Sequence, residues 1–109
     1  MLTNTKWELV ALPGLTLPEN AKATLLFADS LKVSGKAFCN NYGGKAEIID
    51  GKITLKNLYS TKMFCQETAA AESAYMKAIN QVNGAKVENN QLLLTDGDKK
   101  LMVFKKMKE

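Results

Sequence analysis

Along residues 31–37 the side chains trade character at every step. Leu31, Val33, Gly35 and Ala37 fall on one side, with Lys32, Ser34 and Lys36 on the other. A period of two marks a β-strand with one face on a core. Trp7, Leu9 and Ala11 alternate with Glu8 and Val10 in the same way, predicting a strand over residues 6–12. Pro13-Gly14 ends it, and Pro18 punctuates the loop that follows. Residues 23–27 are almost wholly apolar and read as a second strand.

Two hairpins carry their own register. Asp50-Gly51 suits the positive φ of a type I′ turn, and centring a loop there sets Ile48 opposite Ile53 and Ala46 opposite Leu55. Asn89-Asn90 does the same for Val87 with Leu92 and Ala85 with Leu94. Both sets put apolar partners on one face, as a correct register requires. A turn at Asp96-Gly97-Asp98 returns the chain as Leu101-Met102-Val103-Phe104.

Between the hairpins the period changes. Thr68, Ala71, Tyr75, Ile79 and Val82 recur three or four apart in a stretch rich in alanine, glutamate and lysine. The spacing predicts one amphipathic helix over residues 66–82, stopped by Asn83-Gly84. Tyr75 and Met76 belong to its core and rim. The sum is a mainly β domain (α+β by content): a small antiparallel, barrel-like meander of seven to eight strands with one helix packed against it.

At 109 residues, 46% hydrophobic and 24% charged, the chain fits one globular domain. It has no apolar run of the roughly 20 residues a membrane-spanning helix needs. Residues 1–6 lack the charged start and apolar middle of a signal peptide, although an expression start fused to a trimmed chain would look the same. The net charge is +4, with Lys99, Lys100, Lys105, Lys106 and Lys108 gathered near the C-terminus. Phe104 is the one aromatic among them, so they read as a solvated strand edge and not as a nucleic-acid site. Histidine is absent, which removes Ser-His and Cys-His nucleophile pairs and imidazole metal ligands.

The two cysteines lie in Cys39-Asn40-Asn41-Tyr42-Gly43-Gly44 and Thr61-Lys62-Met63-Phe64-Cys65. In these stretches the chain resembles the META/HslJ-like domain family of bacterial envelope proteins. Trp7-Glu8-Leu9 and the closing strands fall where that family places its first and last strands. Phe38 and Phe64 depart from the pattern, which favours small residues before each cysteine. The resemblance implies a barrel-like sheet crossed by one helix and a place in the bacterial envelope: periplasmic, secreted, or an outer-membrane lipoprotein. It implies a link to stress tolerance, with no established molecular activity.

Cys39 and Cys65 are a candidate disulfide, and two separate buried thiols are the alternative. Joined, they would close a 27-residue loop around the Asp50-Gly51 hairpin and would need an oxidising compartment. Phe38 and Phe64 would then lie together or cover the sulfurs from one side. Gly35, Asn40, Asn41, Tyr42, Gly44, Thr61 and Met63 complete the structural motif. The asparagines are expected to satisfy turn backbone, Gly43 and Gly44 to supply positive φ, and Tyr42 to cap the barrel end. Glu72 suits the helix dipole. No residue set is assigned to catalysis, metal or cofactor. The expected function is a non-enzymatic, monomeric envelope domain, structural or contacting an unidentified envelope protein. Any membrane tether would lie in a segment outside this chain. The alternative is a small-ligand-binding barrel of lipocalin-like topology, unless Trp7, Phe27, Tyr75 and the leucines fill its interior.

Overall fold

A computed structural model describes residues 4–14, 16–17, 21–50 and 52–107. The readings that fall on Met1, Pro18, Gly51 and Lys108 lie outside the described residues. The elements run β1 (Thr5–Ala11), β2 (Thr24–Phe27), β3 (Lys32–Ala37), β4 (Asn40–Ile49), β5 (Lys52–Ser60), α1 (Ala69–Ile79), β6 (Gly84–Glu88), β7 (Gln91–Asp96) and β8 (Lys99–Lys106). The eight strands form one sheet in the order β5-β4-β3-β2-β1-β8-β7-β6, antiparallel at every step. Helix α1 touches both β3 and β8, which have two strands between them, so the sheet curls around the helix. The curl is a half-barrel: β5 and β6 are its edges, and the chain passes from one to the other through α1.

Both predicted hairpin registers hold. Ala46 faces Leu55, Ile48 faces Ile53, Ala85 faces Leu94 and Val87 faces Leu92. Asp50, Asn89 and Asn90 all adopt positive φ, the conformation their turns demand. Elsewhere local devices shift the pattern. A bulge between Leu9 and Ala11 against β8 reverses the phase of β1, so Ala11 points to solvent and Leu12 is buried in its place. The helix is shorter than its apolar stripe, because residues 66–68 form a turn in which Thr68 N–H donates to Cys65 O (3.1 Å). The stripe itself is real: Thr68, Ala71, Tyr75, Ile79 and Val82 are all buried. Asn83 does not end the helix. Its side chain ties the β7–β8 turn, donating to Asp96 Oδ1 (2.9 Å) and accepting from Gly97 N–H (2.8 Å). Gly84 opens β6. Lys99, Lys100, Lys105 and Lys106 are exposed as expected, but β8 pairs on both sides, so they mark the two ends of the strand and not a sheet edge.

Tyr75 is the hub of the interior. Its ring meets Phe38, Tyr42 and Phe104 edge-on, with centroids 6.1, 5.7 and 6.3 Å away. Such geometry sets the positive ring edge against the negative face. Tyr42 O–H donates to Thr24 O (2.7 Å), and Tyr75 O–H donates to Tyr42 Oη (2.6 Å). Trp7, Leu25, Phe27, Leu92, Leu94 and Phe104 pack around this pair. Tyr75→Phe removes one of these bonds without orphaning Tyr42, which keeps its bond to Thr24. A loss of about 1 kcal/mol is expected in thermal unfolding.

Burial drives both phenols upward from their ordinary value of 10; the neighbouring Tyr42 raises Tyr75 further, while the Tyr75 hydrogen bond acts against burial at Tyr42. The unfolded chain loses these protons near pH 10, whereas the folded chain keeps them. Stability is therefore complete below about pH 10 and falls as pH rises above it. Urea midpoints measured from about pH 8 to about pH 12 should decline only above about pH 10, and Tyr75→Phe should lessen the decline.

Candidate functional site

The turn from β3 into β4 is tighter than its sequence suggests. Cys39 N–H donates to Ala37 O (2.8 Å), and Phe38 between them has φ +67°. A positive φ is costly for a bulky residue and explains why glycine suits this position. Phe38 remains because its ring is buried against Tyr75. Since the turn is complete by Cys39, Asn40 and Asn41 are not turn residues at all: they begin β4.

Asn40 works instead as a latch. It is 2% exposed, and its Oδ1 accepts from Met63 N–H (2.8 Å) and Thr61 O–H (2.7 Å). Its Nδ2 donates to Met63 O (2.9 Å) and Glu72 Oε2 (2.6 Å), while its backbone N–H donates to Glu72 Oε1 (3.1 Å). Asn41 N–H donates to Thr61 Oγ1 (3.2 Å), and Thr61 N–H to Asn41 O (2.9 Å). One side chain thus ties β4, the 61–65 segment and the first turn of α1 together. Cys39 and Cys65 are bonded beside it, with Cα atoms 6.1 Å apart. Asn40→Ala would leave the Met63 amide and Glu72 Oε2 without their partner, while Glu72 Oε1 keeps the backbone N–H of residue 40. The expected loss is about 2 kcal/mol in urea unfolding, and Asn40→Asp should not restore it, because a carboxylate would face Glu72.

The remaining motif residues have other work. Tyr42, expected at the barrel end with its hydroxyl on water or a backbone carbonyl, does reach a carbonyl, that of Thr24, but from within the core, where it is also bonded to Tyr75. Gly43 and Gly44 do not adopt positive φ. Close packing explains them, since a Cβ would meet Tyr59 Oη at 2.6 Å from Gly43 and Lys56 O at 2.7 Å from Gly44. Gly35 is held by the Thr24 carbonyl, which occupies the space of its missing side chain. The expected Phe38–Phe64 pairing does not form: Phe38 is in the core, while Phe64 is 79% exposed. Glu72, read as a dipole partner, is the residue the motif lacked. It lies 32 positions from Asn40, and no local spacing joins them.

Next to the latch, a groove of about 470 Å³ runs between β5 and α1, lined by Leu58, Tyr59, Met63, Phe64, Glu72 and Met76 among others. Met63 (57%) and Phe64 (79%) stand exposed along it. The inner face of the sheet is occupied by its own side chains: Trp7, Phe27, Tyr75 and Phe104 are at most 2% exposed. These fill the place where a lipocalin-like barrel would hold a ligand.

A protein from Burkholderia xenovorans, solved by NMR, has a similar fold, with a TM-score of 0.83 and 25% identity over 99% of this chain and 85% of that one. A crystal structure of a DUF4847 family protein from Bacteroides vulgatus has a TM-score of 0.71 at 14% identity, covering 100% of this chain and 96% of that one. Among curated proteins, none matches the sequence. The META domain family model matches residues 1–109, the full span that carries the latch, the disulfide and the curled sheet, and the chain belongs to the META domain family.

Proposed function

We propose that the chain is a non-catalytic domain of the bacterial cell envelope, acting through contact with envelope proteins and contributing to envelope integrity or stress tolerance. The observation that carries this reading is the Cys39–Cys65 bond. Disulfides form and persist in oxidising compartments, and thiols in the cytosol are kept reduced. The filled interior supports work done on the outer surface. Exposed Tyr59, Met63 and Phe64 give that surface the apolar character of a protein contact.

The test is fractionation of native cells, with a photo-crosslinking residue placed at Phe64. The expected result is recovery in the envelope fraction with a discrete crosslinked partner that Met63→Ser/Phe64→Ser weakens. Recovery in the cytosol with free thiols would overturn the reading.

A further inference from the structure

The outer face of β1–β5 carries a second groove, also of about 470 Å³. Strand register builds its floor from two rows. Lys6 pairs with Leu26, Leu26 with Ser34, Ser34 with Gly43 and Gly43 with Tyr59. In the second row Lys36 N–H donates to Thr24 Oγ1 (3.0 Å), Lys36 pairs with Asn41, and Thr61 is bonded to Asn41. Of these residues Tyr59 alone also borders the apolar groove beside α1.

Three features of this floor point to one ligand chemistry. Tyr59 lies over Gly43, where a Cβ would meet its Oη at 2.6 Å and Cζ at 2.8 Å, yet 68% of the residue is exposed. The missing side chain at Gly43 therefore makes room for the hydroxyl end of an aromatic ring that is otherwise largely exposed. Around it, the Ser34 hydroxyl, the Asn41 side-chain amide and the Tyr59 hydroxyl have no hydrogen-bond partner among the described residues. Lys6 and Lys36 line the groove without an ion pair among the described residues, whereas nearby Glu8 and Glu47 are matched to Lys22 and Lys56. Among the described residues, no carboxylate lines the groove.

We propose that this groove binds an acidic glycan. A pyranose lays its axial C–H bonds flat on one aromatic face, its hydroxyls exchange hydrogen bonds with amide and hydroxyl groups, and its carboxylate meets the two ammonium groups. The volume falls in the range of small-molecule sites, roughly 300–1,000 Å³. A single-stranded nucleic acid is a poorer fit, because it stacks successive bases on several aromatics and this floor offers one. Tyr59 borders both grooves, but the protein contact is tested at Met63 and Phe64, which do not line this one, so either reading can fail without the other.

The experiment is a nitrogen-15 NMR titration of the intact chain with tetragalacturonate. Saturable shifts are expected at the amides of Ser34, Asn41 and Tyr59, weakening with added salt. Lys6→Gln/Lys36→Gln and Tyr59→Ala should each weaken binding at least about tenfold, whereas Lys86→Gln on β6, away from the groove, should leave it within about threefold. Maltotetraose and inorganic phosphate should each bind at least about tenfold more weakly. The proposal is overturned if no saturable shift appears, if Tyr59→Ala binds as the parent does, or if phosphate or oligothymidylate saturates the same amides as tightly as the acidic sugar.

Discussion

Replacing Cys39 and Cys65 with serine is expected to cost about 3.5 kcal/mol of folding stability. The sulfurs join positions 26 apart, closing a ring of 27 residues counted from Cys39 through Cys65. Without that link the unfolded chain gains the loop entropy of the ring, and small domains have only about 5–15 kcal/mol in all. The loss should be the same in either single variant as in the double one, since one serine already breaks the bond. Asn40 would still hold the 61–65 segment, so the fold should survive with a lower urea midpoint. Asn40→Ala added to the serine pair should then lose more than the sum of the two changes, because each device holds the same segment in the absence of the other. Urea titrations of the four proteins check this. Equal midpoints with and without the bond would mean that the sulfurs contribute nothing to the folded chain.

Gly35→Ala should cost about 3 kcal/mol or more, a large effect for one methyl group. The added carbon would overlap the Thr24 carbonyl, and backbone cannot rotate aside as a side chain can. That carbonyl also accepts the hydrogen bond from Tyr42 O–H, which in turn accepts from Tyr75. Pushing β2 away from β3 therefore separates the sheet from its helix as well as straining the strand pair. Gly97→Ala, at a turn with open space around it and φ +59°, should cost only about 1 kcal/mol, from backbone strain alone. Thermal unfolding of the two variants side by side separates a packing clash from a general intolerance of alanine.

What the sequence made legible is what local chemistry dictates. Asn89 and Asn90 take left-handed conformations, and the register of β6 with β7 follows from their position. The helical stripe was legible for the same reason, since Tyr75 and Ile79 share a face whatever lies opposite. Asn40 and Asn41 misled because they are turn formers by composition, and the turn is already closed one residue earlier by Phe38 in a conformation that favours glycine. The bulge at Leu9 and the Asn40–Glu72 contact depend on strands and helices meeting across the fold, and neither leaves a period in the sequence. The cysteines were legible as a pair, but their closeness depends on the 61–65 segment returning to the β3–β4 turn.

The most direct test is the redox state of the two thiols in the cells that make the protein. Acid quenching followed by maleimide labelling should attach nothing before reduction and two labels, one per cysteine, after it. Two labels attached without reduction would contradict the account, since the chain would then be folded and at work with its sulfurs apart.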